Sequence, residues 1–271
     1  MRKRRHQIEA SESELRSMTR DLDDLHHDVS RPAMHEALAG WSDALRTGTT
    51  RSTNRRTFLL GAGGALAGVG VLAAVATTPG LAAAAASTSS VTPTTSSTSN
   101  PEAGLTGTLA VAALAASLEN LAVYTYGVAA TAAAAGKLGT VPPAIGQFVK
   151  TVMSQHTQHA AAWNSLLTGA GKKAVTVTDP ALTPTVDQQL GQVTTLTQVA
   201  QLALMLENTA AQTYQAEASK LKSAKAVSVA ATIQPVEMQH AAILYYVLGE
   251  YPGIQDSSGN PLAFNPTTLA A

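Results

Sequence analysis

The chain has 271 residues with 18 basic and 18 acidic side chains, so its formal charge is zero and nothing global recruits nucleic acid or an acidic substrate. Cysteine is absent, which excludes disulfide frameworks, thiolate metal sites, cysteine nucleophiles and a lipidated cysteine anchor. The charge is uneven: all ten arginines lie at or before Arg56, while from Ser87 on nine acids face seven lysines.

Residues 1–52 read as a charged leader, with a basic start at Arg2 to Arg5 and a mixed-charge, helix-forming stretch from Glu12 to Leu45. Its histidines, His26, His27 and His35, are expected on solvated helix faces. A start at Met34 is the alternative that would give a leader of ordinary length. Residues 53–86 resemble a twin-arginine export signal: Arg55-Arg56, Phe58 two residues on, an uncharged core over 58–76 and a small-residue stretch ending Ala84-Ala85-Ala86. Cleavage before Ser87 would release an extracytoplasmic protein, in the cell wall or secreted. The alternative is an uncleaved anchor in the cytoplasmic membrane, since 19 residues at about 1.5 Å each nearly span a hydrocarbon core of about 30 Å. In either case the leader would stay on the cytoplasmic side, and the export machinery is the expected partner.

Residues 87–101 are almost all Ser, Thr and Pro, which cannot bury enough apolar surface to fold and read as a spacer. Residues 102–249 form the folded unit. Alanine-rich helical stretches are predicted at about 104–136, 143–169, 194–221 and 224–249. Gly136 to Pro143 breaks the first pair, the crossing 172–193 holds Pro180 and Pro184, and Ser223 marks a short last turn. Two short connections separated by a long one predict an all-α four-helix bundle with a crossover. Pro235 should kink the fourth helix or mark where it begins again. Residues 250–271 read as a turn-rich tail.

The folded unit repeats itself. Leu118-Glu119-Asn120, Ala122 and Thr125-Tyr126 recur 88 residues later as Leu206-Glu207-Asn208, Ala210 and Thr213-Tyr214. Gln158-His159-Ala160-Ala161 recurs 81 residues later as Gln239-His240-Ala241-Ala242. The bundle is therefore two duplicated helical hairpins. Residues three apart share a helix face, so His156 pairs with His159, and Glu237 with His240. A Glu from each of two helices and a paired motif from each of the others is the ligand plan of dinuclear carboxylate sites in bundles. The three histidines beyond His35 all fall in these motifs. Carboxylate and imidazole donors together suit iron, manganese or zinc. Tyr126 and Tyr214, seven residues after each Glu, are candidates to hydrogen-bond a ligand carboxylate or simply to fill the core. Trp163 is expected in the core or at its rim, and Asn120 and Asn208 against a neighbouring helix or water.

On these motifs, residues 104–249 resemble the ferritin-like superfamily, and more closely the ferritin-like proteins that carry export signals in actinobacteria. The resemblance implies a four-helix bundle and metal ligands at Glu119, His159, Glu207, Glu237 and His240. The chain departs from the superfamily pattern at His156, which stands where that pattern has a Glu that would bridge two metals. Three carboxylates and three histidines remain, consistent with a dinuclear, mononuclear or asymmetric centre. The expected function is metal binding with an oxidase or storage role. The alternative is a non-catalytic structural or interaction bundle whose Glu/His set is a self-satisfied polar network. Catalytic residues are not assigned, and the sequence leaves open whether the bundle forms homo-oligomers.

Overall fold

A computed structural model describes residues 11–38 and 100–250. The export signal over 53–86, nearly all of the spacer and the tail from 251 lie outside the described residues. Seven α-helices occur among those described: α1 (Glu12–Leu25), α2 (Arg31–Leu38), α3 (Thr108–Ala134), α4 (Pro143–Gly169), α5 (Thr183–Gln192), α6 (Leu196–Glu217) and α7 (Ala224–Leu248). Among the described residues there is no strand.

The four long helices form the bundle, α3 packing on α4 and α6 on α7. Their ends are set by local chemistry. Gly136, with φ +72°, and Gly171, with φ +70°, follow the caps of α3 and α4 in the left-handed conformation that side chains resist. Their neighbours close the same pair of bonds: Lys137 N–H to Ala132 O at 3.0 Å, and Lys172 N–H to Leu167 O at 2.9 Å. Pro143 opens α4 at a position where the missing N–H costs nothing. Thr195 and Gln198 cap α6 reciprocally. α7 runs unbroken through Pro235, so the helix does not begin again there.

The 172–193 crossing is not wholly irregular. It contains α5, a helix the sequence reading missed because Thr183-Pro184-Thr185 reads as a turn, although Pro near a first turn is equally a helix start. Two asparagines clamp this crossing to the bundle. Asn164 accepts from Val175 N–H at 2.7 Å and donates to Val175 O at 3.0 Å, while Asn120 donates to Val175 O and Val177 O at 3.1 and 3.0 Å. Asn208 donates to the Tyr245 hydroxyl at 3.0 Å.

The core has two apolar halves. One gathers Val111, Ala112, Trp163, Leu166, Leu167, Val229 and Ile233. The other gathers Phe148, Val152, Leu204, Ile243, Leu244 and Val247. Along α3, α4 and α6 the Glu/His positions fall between the two.

The leader departs from expectation. α1, a π-helical turn (His26–Ser30) and α2 form one strap that packs on α4 and α7. Leu15, Thr19, Leu22, His26, Ser30, Met34 and Ala37 are its buried stripe. His27 and His35 are exposed as expected. His26 is not: it is 2 % exposed, because the 15, 19, 22, 26 spacing puts it on the same face as two leucines.

Asn164→Ala removes both side-chain bonds to Val175 and leaves the Val175 N–H unpaired, while the Val175 carbonyl keeps the bond from Asn120. The expected loss is about 1–3 kcal/mol, read from the urea midpoint at constant slope.

Candidate metal centre

Each Glu/His side chain is placed by its helix phase. Glu119 on α3 and Glu207 on α6 face inward at equivalent points of the repeat, and the pairs His156/His159 on α4 and Glu237/His240 on α7 each share one face. All six are buried, at 0–2 % exposure. The structure brings the six together in one polar layer.

His156 sits at its middle. Its Nδ1 lies 2.7 Å from Glu119 Oε2 and 3.7 Å from Glu237 Oε2, and its Nε2 lies 3.2 Å from Glu207 Oε1. His159 Nδ1 lies 2.9 Å from Glu237 Oε1 and 3.5 Å from Glu119 Oε2. His240 Nδ1 lies 3.2 Å from Glu207 Oε2. Two groups of four result, Glu119/His156/His159/Glu237 and His156/Glu207/Glu237/His240, each with its donor atoms within 4.8 Å of one another. They share His156 and Glu237. The layer thus offers two adjoining positions for an ion, with Glu237 the one carboxylate common to both.

The tyrosines are part of this layer and cross between repeats. The Tyr126 hydroxyl donates to Glu207 Oε1 at 2.6 Å, and the Tyr214 hydroxyl donates to Glu119 Oε1 while accepting from Trp163 Nε1 at 2.8 Å. Each therefore holds the carboxylate of the other copy. Gln155, which the sequence reading missed, is buried with its Oε1 2.7 Å from His240 Nε2. Its place one turn before His159 on the same face was the available signal. Between α3 and α6 a cavity of about 20 Å³, lined by Leu118, Ala122, Leu206 and Ala210, reaches Glu119, His156 and Glu207. That is room for about one water molecule.

In the metal-free protein the charges compensate. Burial pushes the Glu119 carboxyl up, but His159 and His156 pull it down to about 2. Burial likewise opposes, and His156 and His240 outweigh it, in holding Glu207 well below the usual range. Burial pulls His159 down, but Glu119 and Glu237 lift it to about 9. His156 is raised well above its ordinary value by Glu237 and Glu207 against the same burial. Two residues pair in charge but are poorly aligned for hydrogen bonding, although Glu237 Oε1 and His159 Nδ1 lie 2.9 Å apart. Both oxygens of Glu237 and both ring nitrogens of His159 have no well-aligned hydrogen bond among the described residues. A buried carboxylate in that state is expensive. A cation bound at Glu237 Oε1 and His159 Nδ1 would satisfy one of the two atoms on each residue, so the donor set fits a metal.

Linkage gives the pH dependence of the metal-free fold. His159 titrates near 9 folded against 6.5 unfolded, so its contribution is full below pH 6.5 and disappears as pH rises through 9. Glu119 titrates near 2 against 4.5, so its contribution is full above pH 4.5 and lost as pH falls through 2. Burial first, then His159 and His240, lowers His26 to about 3 from 6.5, and that contribution is lost as pH falls from 6.5 toward 3. Stability of the metal-free protein should therefore peak near pH 6.5 and fall on both sides. Urea midpoints across that range check it; a midpoint that climbs from pH 6.5 to 9 contradicts it.

No curated protein and no solved structure matches the chain. A family model described as a ferritin-like domain matches residues 105–250, more than half of the chain and the whole bundle from α3 to α7. The duplicated hairpins, the crossover and the inward Glu/His layer agree with that match, and the chain belongs to the ferritin-like family.

Proposed function

We propose that the protein binds iron, manganese or zinc in the Glu/His layer of its bundle and acts outside the cytoplasmic membrane in metal handling, as a store or as an oxidase. The carrying observation is the Glu237 carboxylate, fully buried with neither oxygen in a well-aligned hydrogen bond and Oε1 only 2.9 Å from His159 Nδ1. Glu119, His156, His159 and Glu237 would hold one ion, or His156, Glu207, Glu237 and His240 would; with both positions filled, the neutral His156 ligates one of the two. A bound iron or manganese ion would supply one-electron chemistry; zinc would supply Lewis acidity only.

The chain's own residues prepare the site. Tyr126 and Tyr214, raised well above their ordinary values by burial and by Glu207 and Glu119 respectively, stay protonated and donate to the carboxylates. Each donation directs one oxygen of Glu207 or Glu119 and leaves the other for an ion. Gln155 fixes His240 by its Nε2, leaving Nδ1 toward Glu207. The two apolar halves exclude bulk water. With neutral imidazoles the layer carries three negative charges: one divalent ion leaves −1, and two leave +1 with His156 serving one of them, because a neutral imidazole has a single free nitrogen. Both are tolerable, and imidazole deprotonation makes affinity rise with pH.

A second reading, a polar network without metal, is favoured by the close compensation of Glu119 and Glu207 by His156. The two differ on two counts. Under the metal reading a chelator lowers the melting temperature and one preferred ion restores it, by about 2.7 kcal/mol at a hundredfold excess over the dissociation constant. His240→Ala then loses that response. His156→Glu raises the bound ion count toward two under the metal reading. Under the network reading it destabilises, because a fourth carboxylate enters between Glu119 and Glu207 with no cation. Metal analysis and melting with and without iron or manganese separate the two.

Export rests on Arg55-Arg56 and the uncharged run behind them. Docking of the strap on the bundle requires both on one side of the membrane, so in this reading the docked chain is the one that precedes translocation. Changing Arg55 and Arg56 to Lys should leave unprocessed protein in the cytoplasm; normal export of that double variant overturns the assignment.

A further inference from the structure

The bundle does not close its own metal layer on every side. α4 and α7, which carry His159 and His240, make few direct contacts with each other, and the strap lies in the groove between them. At the middle of the strap the helix widens into the π-turn that begins at His26, a local geometry that recurs at functional sites. The His26 ring packs on that of His159, with centroids 5.3 Å apart and planes tilted by 51°. It is 2 % exposed, and its Nε2 has no hydrogen-bond partner among the described residues.

His159 presents the complementary need. Its Nδ1 faces Glu237 and Glu119 at 2.9 and 3.5 Å, which makes it the nitrogen that would take an ion. A neutral imidazole that gives one nitrogen to a metal keeps its proton on the other, and metal-bound histidines almost always donate that proton to a fixed acceptor. The described residues give His159 Nε2 no such acceptor. Two buried rings in contact, each with an unpaired Nε2, can satisfy one another directly or through one shared water.

Building on the metal reading above, we propose that His26 is a positioning residue of the metal centre: it accepts the Nε2–H of His159 and so holds Nδ1 on the ion. The strap is then part of the centre rather than a passive leader. In the chain before translocation, residues that precede the export signal in sequence set the affinity of a site carried by the bundle. Separation of strap from bundle would loosen the hold on the ion bound at His159, coupling release of metal to the fate of the N-terminal segment.

The test uses the full chain and Co(II), whose visible absorption reports its ligands. His26→Leu keeps the bulk and removes the acceptor. It is expected to bind Co(II) about 10- to 100-fold more weakly, with an altered visible spectrum and faster loss to a chelator. His26→Gln, which restores an acceptor, is expected to recover most of the affinity and the wild-type spectrum. The metal-free melting temperature of His26→Leu should match or exceed that of the wild type, because an unpaired buried polar atom has been removed. Wild-type Co(II) affinity and spectrum in His26→Leu overturn the proposal and leave the metal reading intact. So does failure of His26→Gln to rescue, and so does a His26→Leu chain that fails to fold or melts lower without metal, each of which makes His26 a packing residue only. A wild-type chain that takes up no Co(II), iron or manganese overturns the metal reading and this inference with it.

Discussion

Three carboxylates and three imidazoles lie almost fully buried in the middle of an alanine-rich bundle, and none of them could stand there alone. An unpaired charge in an apolar interior costs several kcal/mol or more, so each of the six constrains the positions of the others. Glu119 and Glu207 face each other across His156, and Glu237 faces His159. The rest of the bundle serves that layer. Its two apolar halves sit on either side, and the caps at Gly136 and Gly171 set where the facing helices turn back.

Duplication explains how such a layer arises without six independent solutions. One hairpin supplies a Glu helix and a His helix, and a second copy supplies the same on the other side. The tyrosines show what the copies do for each other, since Tyr126 bonds Glu207 and Tyr214 bonds Glu119. The copies have also diverged. Gln155 on α4, where α7 has Val236, fixes His240 of the other copy, and His156 stands where the second copy has Glu237. The layer is therefore symmetric in backbone and asymmetric in donors. The two groups of four donor residues share one imidazole and one carboxylate, His156 and Glu237.

The strap adds a constraint from outside the duplicated unit. Its buried stripe fills the groove between α4 and α7 and brings a seventh imidazole-bearing or acidic residue, His26, against the layer. A ferritin-like bundle alone accounts for residues 105–250. Closure of its histidine side comes from a segment far upstream in the chain.

The sequence by itself determined the bundle and most of its polar layer. Helical periodicity and breakers such as Gly136 and Pro143 are local, and the two repeats carry their own internal evidence, so Glu119, Glu207, His159 and His240 were legible before any fold was known. Residues three apart on a helix must share a face, which made Glu237 with His240 legible too. Tertiary structure alone decided which residues meet across helices. The crossing of Tyr126 to Glu207, the bond of Gln155 to His240 and the clamp of Asn120 on Val175 each join residues 55 or more positions apart. Sequence spacing carries no distance for such pairs. The same holds for His26, expected from sequence on a solvated face: it shares its phase with Leu15 and Leu22, but burial of that face depended on the groove that α4 and α7 leave between them.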